Sequence, residues 1–245
     1  MSFLNFLYSQ FFITPQLPRA SFTGQTIIVT GANVGLGLEA ARHFVQLGAS
    51  KLIIASRSSE RGETAKRDIE KTTGRAGVVE VWPLDLQSYD SVKAFAERAN
   101  RLDRLDAVCE NAGIATRNFK LAEGDEATIT VNVISTFLLA LLILPALRKT
   151  ATKHNITPRL VIVSSEVHMW AAFKERSAAN IFDTCSDKST ANMEDRVSFL
   201  VGFVDELNMF AYFIVLVSSE QTPGGFRSPS ACPEAVAKFR AASDP

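Results

Sequence analysis

From residue 24 onward, short runs of β-branched and apolar residues alternate with longer segments whose apolar residues recur at helical spacing. The first three runs are "QTIIVT", "KLIIAS" and "GVVEVWPLDL", and two more lie within "RLDAVCENAG" and "RLVIVSS". Between them lie helical segments, among them "GLEAARHFVQLG", "SERGETAKRDIEKTTG" and "DSVKAFAERANRL". Strands that alternate with helices of this length predict a parallel sheet covered on both faces, in a doubly wound α/β fold. Ligands of such folds bind beyond the carboxyl ends of the strands.

The length and composition fit a single domain with ordinary globular character. The chain has 245 residues, of which 47% are hydrophobic and 21% charged, enough for one α/β domain with a full core. Lys and Arg balance Asp and Glu at 26 each, so no basic surplus points to nucleic acid. Cys109, Cys185 and Cys232 show no CxxC spacing. This argues against a metal site and favours free thiols in a reducing, cytoplasmic compartment.

The N-terminal extension, residues 1–23, is apolar over "MSFLNFLYSQFFITP". It lacks the positive start and the small-residue cleavage site of a signal peptide. A short helix that covers the domain is the favoured interpretation, and a peripheral membrane contact is the alternative. We therefore divide the chain into this extension, a main domain over residues 24–196 and an atypical C-terminal segment over residues 197–245.

Another apolar run, from Val133 to Leu147, lies between the fourth and fifth predicted strands. It is shorter than the roughly 20 residues that a membrane span needs, and Pro145 interrupts it. The run belongs to a long predicted helix, "EATITVNVISTFLLALLILPALRKT". We therefore expect it to be buried against the sheet.

A glycine-rich loop, "VTGANVGLG", joins the first strand to the first helix. Gly31 permits a tight turn, Gly35 lets the backbone approach a pyrophosphate, and Gly37 allows the helix to pack closely on the sheet. Free N–H groups at the start of the helix, around Leu36, would face the phosphates along the helix dipole. The loop predicts a dinucleotide site in a Rossmann-like fold, although its TGxxxGxG spacing is wider than the usual GxGxxG.

Four further segments follow this loop in order: "LDL" with Asp85, "ENAG" with Asn111, "VNVIST" with Asn132 and "VIVSSEVH" with Ser165. With the loop, they resemble the short-chain dehydrogenase/reductase family, especially its retinol-dehydrogenase-like branch and similar fungal enzymes. The resemblance covers about residues 24–196. It implies an oxidoreductase that moves a hydride between a nicotinamide cofactor and a carbonyl or secondary alcohol of a small, apolar substrate. It also implies a homodimer as one form of assembly.

The resemblance implies roles for single residues. Asp85 would accept a hydrogen bond from the adenine amine, although an Asp here also fits a turn or a helix cap. Asn111 would line the cofactor, and Glu110 stands where the family usually has another Asn. Asn132 would hold a water in the proton relay. Ser165 would hydrogen-bond the substrate carbonyl or hydroxyl.

The residues after the second strand favour NADP(H) over NAD(H). NAD-binding folds place Asp or Glu there, about 20 residues past the glycine loop, to bind the ribose hydroxyls. In "ASRSSERG" this place is taken by Ser56 and Arg57, and no carboxylate precedes Glu60. A guanidinium forms charge-assisted hydrogen bonds with a 2′-phosphate, which a carboxylate would repel. Arg57 is the first candidate and Arg61 the second, although Arg61 also fits a solvated helix residue.

The catalytic pair that the resemblance implies is not found where it belongs. The family uses a tyrosine followed four residues later by a lysine, YxxxK, on the helix after Ser165. Tyr8 and Tyr89 lie far upstream of that position, and Leu216 stands four residues after Tyr212. Loss of a positioned general acid costs typically 10²- to 10⁴-fold in rate. The alternative to an active enzyme is therefore a cofactor-binding but catalytically impaired protein, or a mis-spliced fragment.

The stretch "DRVSFLVGFVDELNMFAYFIVLVSS" opens the C-terminal segment and matches no expected family element. We hypothesise that residues 197–245 are translated from an unspliced intron, because Val197 and Ser198 can be encoded by GTA-AGT, a common donor sequence. A membrane span over residues 197–217 competes with this, but Asp205 and Glu206 make its insertion marginal. A strand added to the sheet edge by "MFAYFIVLV" is the third interpretation.

Overall fold

The computed structural model describes residues 12, 20–163, 173–193 and 215–216. Strands and helices alternate along the main domain as the sequence predicts. The strands are β1 Thr26–Thr30, β2 Lys51–Ser56, β3 Val79–Pro83, β4 Ala107–Glu110, β5 Leu121–Ala122, β6 Asp125–Glu126, β7 Arg159–Ile162 and β8 Val215–Leu216. The helices are α1 Gly35–Gln46, α2 Ser59–Thr73, α3 Tyr89–Asn100, the long helix α4, and α5 Ile181–Ser186.

The long helix α4 has three consecutive parts. It begins as an α-helical turn over Ala127–Ile129, widens into a π-helical stretch over Thr130–Ser135, and continues as an α-helix over Thr136–His154. π-helical stretches are rare and often mark functional sites. The one in α4 contains Asn132, a predicted site residue.

Local signals at the helix ends explain where α2 and α3 begin and end. The hydroxyl of Ser58 accepts a hydrogen bond from the Arg61 N–H at the start of α2, and Ser88 caps α3 in the same way. These hydroxyls satisfy backbone donors that the first turn of a helix leaves without partners. Gly74 ends α2 with a left-handed φ of 68°, which glycine adopts without steric cost.

The main sheet has the strand order β3-β2-β1-β4-β7-β8. Neighbouring strands from β3 to β7 run parallel, and Ile28 of β1, for example, pairs with Val108 of β4. The chain winds outward from β1 in one direction and, after crossing over, from β4 in the other. This arrangement confirms the predicted doubly wound α/β fold. It also creates a crevice between β1 and β4, at their carboxyl ends.

At the edge of the sheet, β8 pairs with β7 in the antiparallel direction. Val215 lies opposite Leu160, and Leu216 lies opposite Arg159. This pairing agrees with the interpretation of "MFAYFIVLV" as an added edge strand. The rest of the 197–245 segment lies outside the described residues, as do Ser165 and most of the N-terminal extension.

Each face of the sheet carries its own apolar layer, because successive side chains of a strand point to opposite faces. On one face, Ile27 and Val29 of β1 and Leu52 of β2 pack against α1 and α2. On the other face, Ile28 and Val108 pack against α3 and α4. A third cluster joins the start of α4 to the 173–193 segment; its buried members are Ile129, Val133, Ile134, Phe137, Phe173, Phe182 and Cys185.

Helix α4 confirms the prediction of a buried, sheet-covering helix. Within the described part of the chain, it is the one helix long and apolar enough to cross a membrane, at 28 residues from Ala127 to His154. However, 78% of its most apolar window is buried inside the protein. Pro145 lies within the helix and does not end it. A core position on the sheet accounts for the apolar character of α4.

Candidate functional site

A cleft of about 320 Å³ opens at the carboxyl ends of β1 to β4. It lies where the winding direction of the sheet reverses, which is the expected ligand position in this fold. Its walls come from the loops that follow these four strands and from the π-helical part of α4. The lining residues are Gly31, Asn33, Val34, Ala55, Ser56, Arg57, Leu84, Asp85, Leu86, Gln87, Asn111, Ala112, Gly113, Ile114 and Val131.

The cleft brings together Gly31, Arg57, Asp85 and Asn111, four of the residues predicted from the sequence. These residues come from four separate loops. Other predicted residues do not line the cleft itself: Gly35, Leu36, Gly37, Arg61 and Asn132. Ser165 lies outside the described residues.

The three predicted glycines serve different purposes in the loop after β1. Gly31 has a φ of +66°, and a Cβ there would lie 2.8 Å from the Cα of Ala112. Gly35 has a φ of +60° but open space around it. A Cβ on Gly37 would lie 2.4 Å from the Asn111 Nδ2 and 2.6 Å from the Gly31 carbonyl oxygen. Gly37 therefore packs against Gly31 and Asn111, the residues that directly follow β1 and β4.

The N-terminus of α1 faces the glycine loop without a side-chain cap. Val34 is the N-cap residue and makes no side-chain hydrogen bond, and no acidic residue occurs in the first turn. Leu36 in that turn is 81% exposed. In contrast, α2 and α3 both have serine caps. The uncapped N–H groups and the positive end of the helix dipole suit an anion such as a pyrophosphate.

Thr30, which the sequence argument overlooked, joins the two halves of the cleft. Its buried hydroxyl accepts hydrogen bonds from the N–H groups of Asn111 and Ala112, both at 3.0 Å. In return, the Asn111 Nδ2 donates to the main-chain oxygens of Thr30 at 3.2 Å and Gly31 at 3.4 Å. The sequence signal that could have identified Thr30 is its position directly before Gly31, the first glycine of the loop. These bonds fix the loop after β4 against the loop after β1.

Asp85 has hydrogen bonds that agree with the interpretation of a turn-capping residue. Its Oδ1 accepts from the Gln87 N–H at 2.9 Å, as in a turn-capping residue. Its own N–H donates to the Ser91 Oγ at 2.9 Å, in the first turn of α3. The residue also lines the cleft and is only partly buried. Asp85 therefore stabilises the loop after β3 and forms part of the cleft wall.

Arg57 is an exposed cation at the edge of the cleft. Within the described residues, its guanidinium has no hydrogen bond or ion pair to another side chain. The neighbouring Ser56 is buried, and its hydroxyl donates to the Ser58 carbonyl at 3.0 Å. Arg61 is also exposed, but it lies in the first turn of α2 and outside the cleft lining.

Asn132 binds the loop after β4 through its side-chain amide. Its Oδ1 accepts from the Ile114 N–H at 2.8 Å, and its Nδ2 donates to the Ile114 carbonyl at 2.7 Å. Ile114 lines the cleft. The Asn132 side chain therefore positions a cleft wall. A water in a proton relay would bind the second lone pair of its Oδ1, the second N–H of its Nδ2, or the main chain of the π-helical stretch.

A tyrosine and a lysine with YxxxK spacing do occur upstream, at Tyr89 and Lys93 in α3, a spacing that the sequence argument passed over. Burial raises the pKa of Tyr89, and the charges of Asp125 and Glu123 raise it further. A general base of this family needs a lowered tyrosine pKa, so the environment of Tyr89 has the opposite effect. Tyr89 also lies outside the cleft lining and packs against the apolar clusters.

The fold and the cleft define a nucleotide-binding α/β protein of the doubly wound type. The family model described as short chain dehydrogenase matches residues 25–189, and the chain belongs to this family. Members of the family bind a nicotinamide cofactor and act on small molecules. The match agrees with the resemblance seen over residues 24–196 in the sequence.

Fungal short-chain dehydrogenases are among the similar proteins. The short chain dehydrogenase/reductase dmxR8 of Cryptosporiopsis sp. is 50% identical over 192 residues, which are 77% of this chain and 59% of that protein. The short chain dehydrogenase atnD of Emericella nidulans is 48% identical over 80% of this chain and 63% of its own length. The short-chain dehydrogenase anuD of Penicillium roqueforti is 46% identical over 80% of this chain and 51% of that protein. The chain thus spans about half to two thirds of the length of these relatives.

Solved structures of bacterial short chain dehydrogenases share the fold. One from Escherichia coli CFT073, complexed with NADPH, is 26% identical with a TM-score of 0.52, over 75% of this chain and 70% of that one. The oxidoreductase yciK from E. coli is 25% identical with a TM-score of 0.51, over 80% of this chain and 75% of that one. The likeness supports the assignment of the doubly wound fold to this family.

Proposed function

We propose that the chain is an NADP(H)-dependent short-chain dehydrogenase/reductase that transfers a hydride to or from a carbonyl or secondary alcohol of a small, apolar substrate. The observation that carries the proposal is Arg57, an exposed cation at the cleft edge where NAD-binding folds have a carboxylate. The E. coli relative complexed with NADPH supports the same cofactor. In this proposal, residues 24–196 form the NADP-binding domain.

The residues of the cleft fit such a cofactor. The uncapped start of α1, at Gly35 and Leu36, would bind the pyrophosphate, and Gly31 and Gly37 leave no Cβ in the crowded loop. Arg57, assisted by Arg61, would bind the 2′-phosphate. The list of proposed cofactor-binding residues is completed by Asp85 at the adenine and Asn111 beside the nicotinamide half. The bound cofactor supplies or accepts the hydride.

The remaining catalytic roles are proposals based on the family. Ser165 would hydrogen-bond the substrate oxygen. Asn132 acts in this scheme by fixing Ile114, while its side-chain amide or the main chain of its π-helical stretch would hold the relay water.

A second candidate function is cofactor binding with impaired turnover. The observation that favours it is the absence of a tyrosine–lysine pair after Ser165, since Tyr212 is followed four residues on by Leu216. The upstream pair of Tyr89 and Lys93 does not replace it, because burial raises the pKa of Tyr89. Absence of the general acid would reduce the rate by about 10²- to 10⁴-fold while leaving the phosphate-binding groups in place.

Binding titrations with NADPH and NADH, followed by cofactor fluorescence, test the cofactor assignment. We expect the wild type to bind NADPH more tightly, and Arg57→Ala to raise the Kd for NADPH by about tenfold to a hundredfold with little effect on NADH. Arg148→Ala, which removes an exposed arginine from α4, is the matched control and should change neither Kd. Equal loss of both cofactors in Arg57→Ala, or tighter NADH binding by the wild type, would overturn the assignment.

Turnover of a broad panel of carbonyls and alcohols distinguishes the two candidate functions. Robust NADPH-dependent turnover would eliminate the impaired form. NADPH binding with turnover rates at the background level would eliminate the active dehydrogenase/reductase.

A further inference from the structure

Glu110, the last residue of β4, is a buried acid that the proposed mechanism does not use. It is 3% exposed. The alternating burial of β4 places it on the same face as Val108, in the apolar layer beneath α4. Neither of its carboxyl oxygens has a hydrogen-bond partner within the described residues. Without partners, a carboxylate in such a layer costs far more free energy than the neutral carboxylic acid.

No cation near Glu110 compensates for its burial within the described residues. β1 has no titratable residue, and Arg159 of β7 pairs in register with Ala107, at the opposite end of β4. On β4 itself, the pKa of the Cys109 thiol is raised to about 11, first by burial and then by Glu110. Burial raises the pKa of Glu110 well above its ordinary value. The titratable residues of α4 all lie near its far end: Arg148, Lys149, Lys153 and His154.

Glu110 also lies at the end of β4, where this strand is hydrogen-bonded to β7 and leads into the wall of the cofactor cleft. Its carbonyl accepts the Val163 N–H at 2.8 Å, which fixes the end of β7. The next residue, Asn111, lines the cleft and is bound to Thr30 through both its main chain and its side chain. A charge at Glu110 would draw water toward this junction, because an unpaired buried carboxylate must be hydrated or relocated.

We propose that Glu110 is a positioning residue of the cofactor cleft that acts as a neutral carboxylic acid, and that loss of its proton weakens cofactor binding. The neutral form leaves the ends of β4, β1 and β7 packed together. The ionised form separates them and displaces Asn111. This inference rests on the proposed cofactor binding, and the two measurements below distinguish a failure of one from a failure of the other.

The first measurement is the melting temperature of the cofactor-free protein between pH 6 and 9, in the wild type, Glu110→Gln and Glu110→Asn. The folded protein keeps a proton that the unfolded chain has already lost, so wild-type stability should fall as pH rises toward the folded pKa of Glu110. Both variants stay neutral and should lack this part of the pH dependence. Glu63→Gln, an exposed acid-to-amide change in α2, should follow the wild type.

The second measurement is the Kd for NADPH over the same pH range. The ratio of the wild-type Kd to the Glu110→Gln Kd should be near one below the folded pKa of Glu110 and rise above it, by up to about tenfold for each pH unit. Taking the ratio cancels the titration of the cofactor's own phosphate, since both proteins bind the same ligand. Glu110→Asn serves as the second variant if Glu110→Gln does not fold.

Parallel Kd profiles in the wild type and both variants would overturn the positioning role, whatever the melting temperatures show. Parallel melting profiles would overturn the neutral state of Glu110. If no protein binds NADPH at any pH, the cofactor proposal fails and the positioning role with it. The melting profiles then still decide whether Glu110 is protonated.

Discussion

Asn132 holds the main chain of Ile114 from both sides, accepting from its N–H at 2.8 Å and donating to its carbonyl at 2.7 Å. A side-chain amide that bonds one residue twice fixes both the position and the direction of that peptide segment. Gly113 lies so close that a Cβ on it would be 3.2 Å from the Asn132 Oδ1. The π-helical stretch of α4 and the wall of the cleft therefore form one unit.

Replacing Asn132 by Ala should destabilise the protein and weaken cofactor binding together. The change leaves the N–H and the carbonyl of Ile114 without partners, which costs about 1–3 kcal/mol of unfolding free energy. Ile114 lines the cleft, so its displacement should also raise the Kd for NADPH. Urea denaturation and a fluorescence titration measure the two effects. Asn118→Ala, at an exposed position of the same loop, should change neither, and a stable Asn132→Ala protein with unchanged Kd would contradict the assignment.

Gly37→Ala should be destabilising although alanine is the better helix former. In an unhindered helix this change gains roughly 1 kcal/mol. Here the new Cβ would lie 2.4 Å from the Asn111 Nδ2 and 2.6 Å from the Gly31 carbonyl oxygen. We expect a net loss of about 1–3 kcal/mol, as for other overpacked sites, and a weaker affinity for NADPH, because Asn111 and Gly31 must move. An unfolding free energy equal to or above that of the wild type would show that no close contact exists.

Leu36→Glu should weaken NADPH binding without lowering the stability of the protein. Leu36 is 81% exposed in the uncapped first turn of α1. A negative charge there favours the helix by about 0.3–1 kcal/mol through the dipole, but repels a pyrophosphate at the same helix end. We expect an unchanged or higher melting temperature and a Kd for NADPH that rises by roughly tenfold. Leu121→Glu, at another exposed leucine, should leave the Kd unchanged; an unaffected Kd in Leu36→Glu would move the phosphate site away from α1.

Asn100 should be coupled energetically to Pro145. The Asn100 Nδ2 donates to the Leu142 carbonyl at 2.9 Å, and its Oδ1 accepts from the Ala146 N–H at 3.0 Å. The side chain thus bridges the carbonyl and the N–H of an i to i+4 pair in the turn that contains Pro145, where the helix lacks the proline N–H. Asn100→Ala should cost about 1–3 kcal/mol in the wild type, and less beside Pro145→Ala, where the helix can close. A double-mutant cycle in urea measures this coupling, and additive effects would refute it.

Much of the fold could be predicted because its signals are local. The runs "TIIVT" and "KLIIAS" became β1 and β2, and the helical segments predicted to begin at Ser59 and Asp90 became α2 and α3, with α3 beginning one residue earlier than predicted. The hairpin of β5 and β6 was not predicted, because strands of two residues contain no period. The π-helical part of α4 was also missed.

The candidate site also has residues that the sequence indicated and contacts that it did not. The glycine loop and Arg57 were indicated by the sequence alone, because the residues that identify each of them are adjacent in the chain. The bond between Thr30 and Asn111 joins residues that are 81 positions apart, and no local pattern reveals such a contact. The unpartnered state of Glu110 was equally invisible, since it depends on what the fold brings near each oxygen.

The Thr30 hydroxyl joins the loop after β1 to the loop after β4. A ligand seated in the cleft touches both loops, and so acts as a removable cross-link between two chain segments distant in sequence. Each tenfold excess of free ligand over its Kd adds about 1.4 kcal/mol to the stability of the folded state. If the cleft binds the proposed cofactor, the amount of folded protein in a cell would therefore follow the supply of that cofactor.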